Sequence, residues 1–351
     1  MMRPFGGFPS SLLVREEMKV VWSIVLDGIA KQQTKWVIVG SPGVGKSVLT
    51  VLLCFHLAQA HGASVFLARK LKGEFEGPQM DSVAICIHPG GRAVGYPKDP
   101  DEKIELKTIS AAFGKQYKRP SLKVTVLDGW SQSELATSTV GEEFGGFDLL
   151  ATPVQYLPKD QDTRHLVLLP AWKDENLELR QLGREPSAFY EHRYYSSGSV
   201  RDLFRDVPAT RSRTFATVTS ASEEMCRGLL AGYGGSRGSG IEFLRRCYLD
   251  NEKPESYIDC SYWNYVVDSA FALKCLSAKA PLAVYERSLK IAESCGPSHY
   301  GWMFEALVHQ LFHVPNMVVT FHLRPDLQFG ATANEYESNS LGKTRSSNVA
   351  A

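Results

Sequence analysis

No stretch of the 351-residue chain approaches the ~18 consecutive apolar residues that cross a membrane as a helix, so no membrane-spanning protein is expected. Cysteine gives no framework either. The seven (54, 86, 226, 247, 260, 275 and 295) are odd in number, scattered and never in Cys-x-x-Cys. A disulfide scaffold or zinc knuckle is therefore not expected, and a reducing compartment fits better. Charge of one sign is also lacking. Lys plus Arg number 39 and Asp plus Glu 38, a formal net charge of +1, which argues against a strongly basic nucleic-acid binder while leaving room for a local basic patch. Pro and Gly interrupt the first eleven residues, so no apolar core of a secretory signal is read there. No internal repeat is found. What remains is an ordinary globular balance, 44% hydrophobic and 22% charged. Its length suggests about two domains of ~150 residues.

Residues 11–34 carry a broad apolar stripe (Leu12, Leu13, Val14, Met18, Val21, Trp22, Ile24, Val25, Ile29) and predict a helix. Six short apolar runs follow, at 36–39, 64–67, 83–87, 124–127, 147–151 and 165–169, each bounded by Gly, Pro or charge. Several are apolar throughout, as in strands buried on both faces of a parallel sheet. Strands alternating with helix-length segments predict an α/β layer fold. From about 171 the texture predicts amphipathic helices at 174–183, 199–206, 221–231, 241–250, 262–277 and 281–294, with a glycine-rich loop at 232–240. The expected organisation is an α/β core at 10–170, a helical region at 171–295, a short segment at 296–327 and a polar, disordered tail at 328–351.

Gly40-Ser41-Pro42-Gly43-Val44-Gly45-Lys46-Ser47 is a full Walker A match. A strand-like Trp36-Val-Ile-Val39 runs into it, and a helix-like segment from Val48 runs out of it. The glycines let successive backbone N–H groups curl around phosphates, and the following helix points its positive end at them. Lys46 would pair with the β/γ-phosphates and the Ser47 hydroxyl would ligate Mg²⁺. The sequence therefore points to ATP and Mg²⁺ as cofactors, with Gly40 through Val48 as the binding loop. No Asn-Lys-x-Asp guanine motif is present, which makes ATP the better expectation.

A second acid is needed to hold Mg²⁺ through water. Val124-Thr-Val-Leu-Asp128 is the best candidate, at a strand end; alternatively or in addition, Asp128 opens the turn before a helix, since Ser131-x-x-Glu134 beyond it has the form of a capping box. Arg69-Lys70 and His88-Pro89 end rival strands and are weaker candidates. Gly129, not Glu, follows Asp128, so efficient hydrolysis is not expected from this position; Glu134, Glu142 or Glu143 could orient the water instead. Thr152 or Gln155, after the next strand, could sense the γ-phosphate or simply form a turn. Arg193 or Arg201 could stabilise charge on the transferring phosphoryl, or lie on a solvated turn. His309 and His313 are spaced i, i+4 but lack the metalloprotease Glu, and read as packing residues.

The order of these features resembles the P-loop ATPase module of Crinkler effectors of oomycetes and the related retrotransposon-hotspot proteins of trypanosomes. The resemblance rests on Gly40–Ser47, Val126-Leu-Asp-Gly129, Leu150-Ala-Thr152, Leu169-Pro-Ala-Trp172, Tyr194-Tyr-Ser-Ser-Gly-Ser-Val-Arg201 and Gly301-Trp-Met-Phe-Glu305-Ala-Leu-Val-His309. It implies an additional-strand (AAA-like) P-loop NTPase, with Lys46 and Ser47 on phosphate and Mg²⁺ and Asp128 as the Walker B acid. Glu305 would match the first glutamate of a nuclease-like domain. Complete members are read as ATPase–nuclease effectors acting on a partner in a host nucleus. No translocation domain of the Crinkler type is read before residue 10. No strand ending in Asp followed by Glu-x-Lys is read after His309, so loss of nuclease activity is expected. DNA contact, through Arg237, Arg245 and Arg246, is implied by the resemblance alone.

Three functions stay open on the sequence: a nucleotide-driven switch or ATPase; a P-loop kinase, for which Arg201, Arg205, Arg211 and Arg213 are the nearest thing to a lid; and a non-hydrolysing interaction protein with bound nucleotide.

Overall fold

A computed structural model of the chain describes residues 12–31, 33, 35–70, 82–98, 106–115, 122–137, 147–153, 156, 164–173, 186–196, 198–230, 242–277, 288–293 and 297–311. The helix expected at 174–183, the glycine-rich loop, the tail, and Glu142, Glu143, Gln155, Arg237 and His313 lie outside the described residues.

Helix α1 (Glu16–Ala30) buries Met18, Val21, Val25 and Gly28, a spacing of three and four that gives one inward face. It is followed by β1 (Trp36–Gly40), α2 (Lys46–Ala60), β2 (Ser64–Lys70), β3 (Ser82–Ile87), β4 (Ala93–Lys98), α3 (Leu106–Lys115), β5 (Lys123–Asp128), α4 (Gln132–Thr137), β6 (Leu149–Pro153) and β7 (His165–Leu168). All six apolar runs become strands of one seven-stranded sheet, ordered β4-β3-β2-β5-β6-β1-β7. The contacts β7–β1, β1–β6, β6–β5 and β5–β2 are parallel. Every residue of β1 is buried, which is why it reads as an unbroken apolar run.

The other end of the sheet departs from a purely parallel arrangement. β3 runs antiparallel to β2, and β4 antiparallel to β3. An apolar run reports burial on both faces, not strand direction, so 83–87 could not reveal this. β4 went unread because Ala93-Val-Gly-Tyr-Pro-Lys98 carries Gly95 and Pro97. An edge strand tolerates them because its outer N–H groups are not needed by the ladder.

After the sheet come α5 (Pro186–Ser196), α6 (Val200–Leu203), α7 (Val207–Ser220), α8 (Glu223–Leu230), α9 (Ala270–Ser277) and α10 (Pro297–Leu311), with helical residues at 288–293. α7 starts where Asp206 accepts the Ala209 N–H at 3.2 Å, with Pro208 in its first turn. Two expected helices are corrected. Residues 245–249 form β8 (Arg245–Leu249) and 263–267 form β9 (Trp263–Val267), paired antiparallel with Cys247 opposite Tyr265. Only 270–277 of the expected 262–277 is helical. All five residues of β8 are buried, so its side chains show no period of two and mimic a helix. Successive residues of β9 face opposite ways. Val266 joins the apolar cluster around the sheet. Val267 joins a second cluster with Val218, Leu229, Leu273, Leu276 and Met303.

Candidate functional site

The loop 40–45 joins β1 to α2. Gly43 (φ 82°) and Gly45 (φ 103°) occupy the left-handed region, where a side chain is strained. Gly45 is the N-cap residue of α2 and has open space where a Cβ would stand. The helix thus begins on glycine, with no side chain over its first N–H groups. The Lys46 ammonium donates to the carbonyls of Gly40 (2.7 Å) and Ser41 (2.9 Å), folded over the loop it would leave to reach a phosphate.

Asp128 ends β5. The Ser47 hydroxyl donates to its Oδ1 at 2.9 Å, and Arg69 Nε lies 3.2 Å from Oδ2. Arg69 is the β2 residue in register with Asp128. Burial pushes the Asp128 carboxyl above its usual range, against the pull of Arg69 first, then the Ser47 hydroxyl, Lys46 and Arg201. The strand β6 lies between β1 and β5, so loop and acid are separated by one strand at the carboxyl ends of the sheet.

The oxygen pair of Ser47 and Asp128 fits a hard divalent cation, and the two left-handed glycines make the concave backbone an anion needs. The residues present therefore fit Mg²⁺ with a nucleotide: Gly43 to Lys46 on the phosphates, Ser47 and Asp128 on the metal side. Among the described residues no group of three or more His, Cys, Asp or Glu side chains gathers as a separate metal site.

The remaining expectations fall differently. Thr152 is buried and donates to the Trp130 carbonyl at 2.7 Å, fixing the turn after Asp128. Gly129 has φ 84°, which explains glycine rather than glutamate at that turn. Glu134 closes the predicted capping box: its Oε2 accepts from the Ser131 N–H (2.8 Å) and hydroxyl (2.7 Å), while Oε1 accepts from Lys70. These bonds commit it to the start of α4. Arg201 is exposed, and its Cβ lies 3.1 Å from where a Gly43 Cβ would stand, with Ser199 Oγ closer still at 2.2 Å. Ser199 and Arg201 are therefore laid directly against the loop. Arg193 is not at the loop. It is buried and stacks over Trp302 of α10 at 5.3 Å.

Arg245 and Arg246, expected as phosphate contacts for DNA, are buried. Arg246 donates to the carbonyls of Phe243, Arg245 and Ser196 and to Asp202; Arg245 donates to Gly228. Buried arginines with carbonyl and carboxylate partners cannot line a nucleic-acid surface. Of the lid candidates, Arg205 and Arg213 approach Asp202 at 3.3 and 3.7 Å. Arg211 instead lines a groove of about 790 Å³ with Glu191, Tyr195, Phe215, Phe271 and Lys274. Glu305 is exposed on α10. His309 is on the same helix.

Sequence reasoning missed the back of the loop. Arg15 reaches the carbonyls of Ala171 (3.0 Å), Val44 (3.3 Å) and Pro170, and its guanidinium lies 4.8 Å from the Trp172 ring. Trp172 Nε1 also donates to the Val44 carbonyl at 3.3 Å. The Cys247 N–H donates to Ser41 Oγ at 3.0 Å, and the Cys247 carbonyl accepts from Ala171. Only the Leu169-Pro-Ala-Trp172 motif signalled any of this.

No protein-family profile and no curated protein matches the chain. Among solved structures, a Signal Transduction ATPase with Numerous Domains (STAND) protein with a tetratricopeptide repeat sensor, from Pyrococcus horikoshii, is 11% identical with a TM-score of 0.28. The similarity covers 87% of this chain and 49% of that one, so the chain spans about half its length. A TM-score of 0.28 is too low to assign a fold or a family. The Crinkler resemblance finds no counterpart in these comparisons. Among the described residues no helix is long and apolar enough to cross a membrane.

Proposed function

We propose that the chain is a P-loop nucleoside-triphosphate-binding protein of the additional-strand type, working as an ATP-dependent switch. The observation that carries this is the Ser47–Asp128 hydrogen bond of 2.9 Å at the mouth of a loop whose Gly43 and Gly45 are left-handed. A strand-to-helix glycine turn without a ligand has no need to aim a buried acid at its first helical hydroxyl. Lys46 would exchange the two loop carbonyls for the β/γ-phosphates, and Arg201 beside Gly43 would face the same charge. Ser199, the N-cap of α6, and Arg201 within it border Gly43, so a change at Gly43 would be passed to the helices that follow. The Crinkler-like reading belongs to this proposal through the motifs at 126–129, 169–172 and 194–201.

A non-hydrolysing form of the switch is favoured over a fast ATPase. Gly129 stands where a catalytic Glu would follow Asp128, and Glu134 is held by Ser131 and Lys70. Calorimetric titration with ATP and Mg²⁺ tests the binding. Wild type binds, and Lys46→Ala binds at least about ten-fold more weakly, a loss of ~1.4 kcal/mol. No binding by folded wild type refutes the proposal. Single-turnover hydrolysis faster than that of Lys46→Ala by several orders of magnitude refutes the non-hydrolysing form.

A further inference from the structure

Arg69 is no part of the loop pattern, yet it sits on the acid that the pattern needs. It occupies the β2 position in register with Asp128, and its Nε is 3.2 Å from Oδ2. Its side chain is 14% exposed and that of Asp128 3%, so water screens the pair little. Oδ1 already takes the Ser47 hydroxyl. Both carboxylate oxygens are therefore engaged, one of them by a permanent cation. The neighbouring Lys70 is held apart from it by Glu134 and the Trp130 ring.

A divalent ion beside Ser47 would share one carboxylate with this guanidinium. Like charges that close repel strongly in a site shielded from water. Resting on the function proposed above, we infer that Arg69 is a resident counter-ion at the metal position, which a divalent cation must displace before Asp128 can serve it. Two consequences follow. The nucleotide-free protein takes up no divalent ion at Ser47 and Asp128. Nucleotide binds with little dependence on metal, because the positive charge Mg²⁺ normally supplies there is already built in.

The test uses the full chain, a non-hydrolysable ATP analogue with a fluorescent label, and Mn²⁺ followed by the loss of its free electron-spin-resonance signal. For wild type, analogue affinity differs by less than about three-fold between excess EDTA and excess Mg²⁺. In Arg69→Gln the Mn²⁺ affinity of the protein–analogue complex rises about ten-fold or more, and Asp128→Asn removes that gain. Arg69→Met keeps the alkyl stem and gives the same reading should the Gln variant unfold. Arg69→Lys, which keeps the charge, stays within about three-fold of wild type. Analogue binding with unchanged or weakened Mn²⁺ affinity in both neutral variants overturns the role of Arg69 and leaves the nucleotide site standing. Absence of analogue binding in wild type, with and without metal, overturns the site and this inference together.

Discussion

Replacing Arg15 with Met isolates the contribution of the loop's back face. Arg15 is 4% exposed at the N-cap of α1. Its guanidinium donates to three carbonyls, of Ala171, Val44 and Pro170, 156, 29 and 155 positions away in sequence. Met fills much of the stem's volume and supplies no donor. Val44 keeps the Trp172 indole as a partner, so two carbonyls lose this donor. Each buried acceptor left unmade costs about 1–3 kcal/mol. The contact with Trp172 adds about 0.5–2 kcal/mol. Against this, burial disfavours the charge, pushing the Arg15 pKa down to about 10, and removing the charge relieves that penalty. The balance is a loss of about 3 kcal/mol. In a protein of this size it lowers the thermal midpoint by about 5 °C, read by circular dichroism. Arg15→Lys recovers less than half of the loss, since one ammonium cannot span three carbonyls. Nucleotide affinity falls by no more than a few fold, because the indole still holds Val44. A midpoint within about 1 °C of wild type, with native spectra, refutes the anchoring role.

Three further outcomes are expected. Gly43→Ala meets Ser199 Oγ at 2.2 Å and places Ala at φ 82°, so it weakens nucleotide binding by at least about ten-fold in calorimetry while the sheet stays folded. Arg246→Met leaves Asp268 without the guanidinium that lies 3.9 Å from it, while Asp202 keeps Arg205 and Arg213, and lowers unfolding free energy by about 3 kcal/mol in urea titration. At pH 8, native protein reacts with a thiol reagent at the exposed Cys260 before the buried cysteines. Buried Cys86, its pKa pushed up to about 11, and buried Cys54, shifted the same way, react only on unfolding. Labelling Cys86 as fast as Cys260 contradicts that burial.

The sheet was legible because its strands are short, apolar and bounded by breakers, and because burial on both faces writes itself as an unbroken run. The loop between β1 and α2 was legible because backbone geometry there demands glycine at fixed positions. β8 was not. Arg245-Arg246-Cys-Tyr-Leu reads locally as the surface of a helix, since two adjacent arginines are ordinarily solvated. They are buried here only because Gly228, Ser196 and Asp202 come to them from elsewhere in the chain. Arg69 escaped for a related reason: two strands 59 positions apart had to be in register before it met Asp128 (128 − 69).

This division has a functional meaning. The face of the loop that would meet phosphate is written in eight consecutive residues, Gly40 to Ser47. Its back and flank are written in Arg15, Trp172, Ser199 and Cys247, the last bonded to Ser41 across 206 positions. A motif reading finds the first set and passes over the second. Yet Cys247 lies on β8, and the preceding residue, Arg246, binds Asp202 of α6, the short helix whose Arg201 lies beside Gly43. Loop, hairpin and helix are thus linked in a ring: hydrogen bonds join Ser41 to Cys247 and Arg246 to Asp202, and packing closes it between Ser199 and Gly43. A nucleotide that shifts Ser41 or Gly43 must strain that ring at Cys247 or Ser199, or carry it along. Rigid packing of this kind favours movement of the hairpin and α6 together over local give in the loop. On the function proposed above, loop and helices would respond to nucleotide as one element.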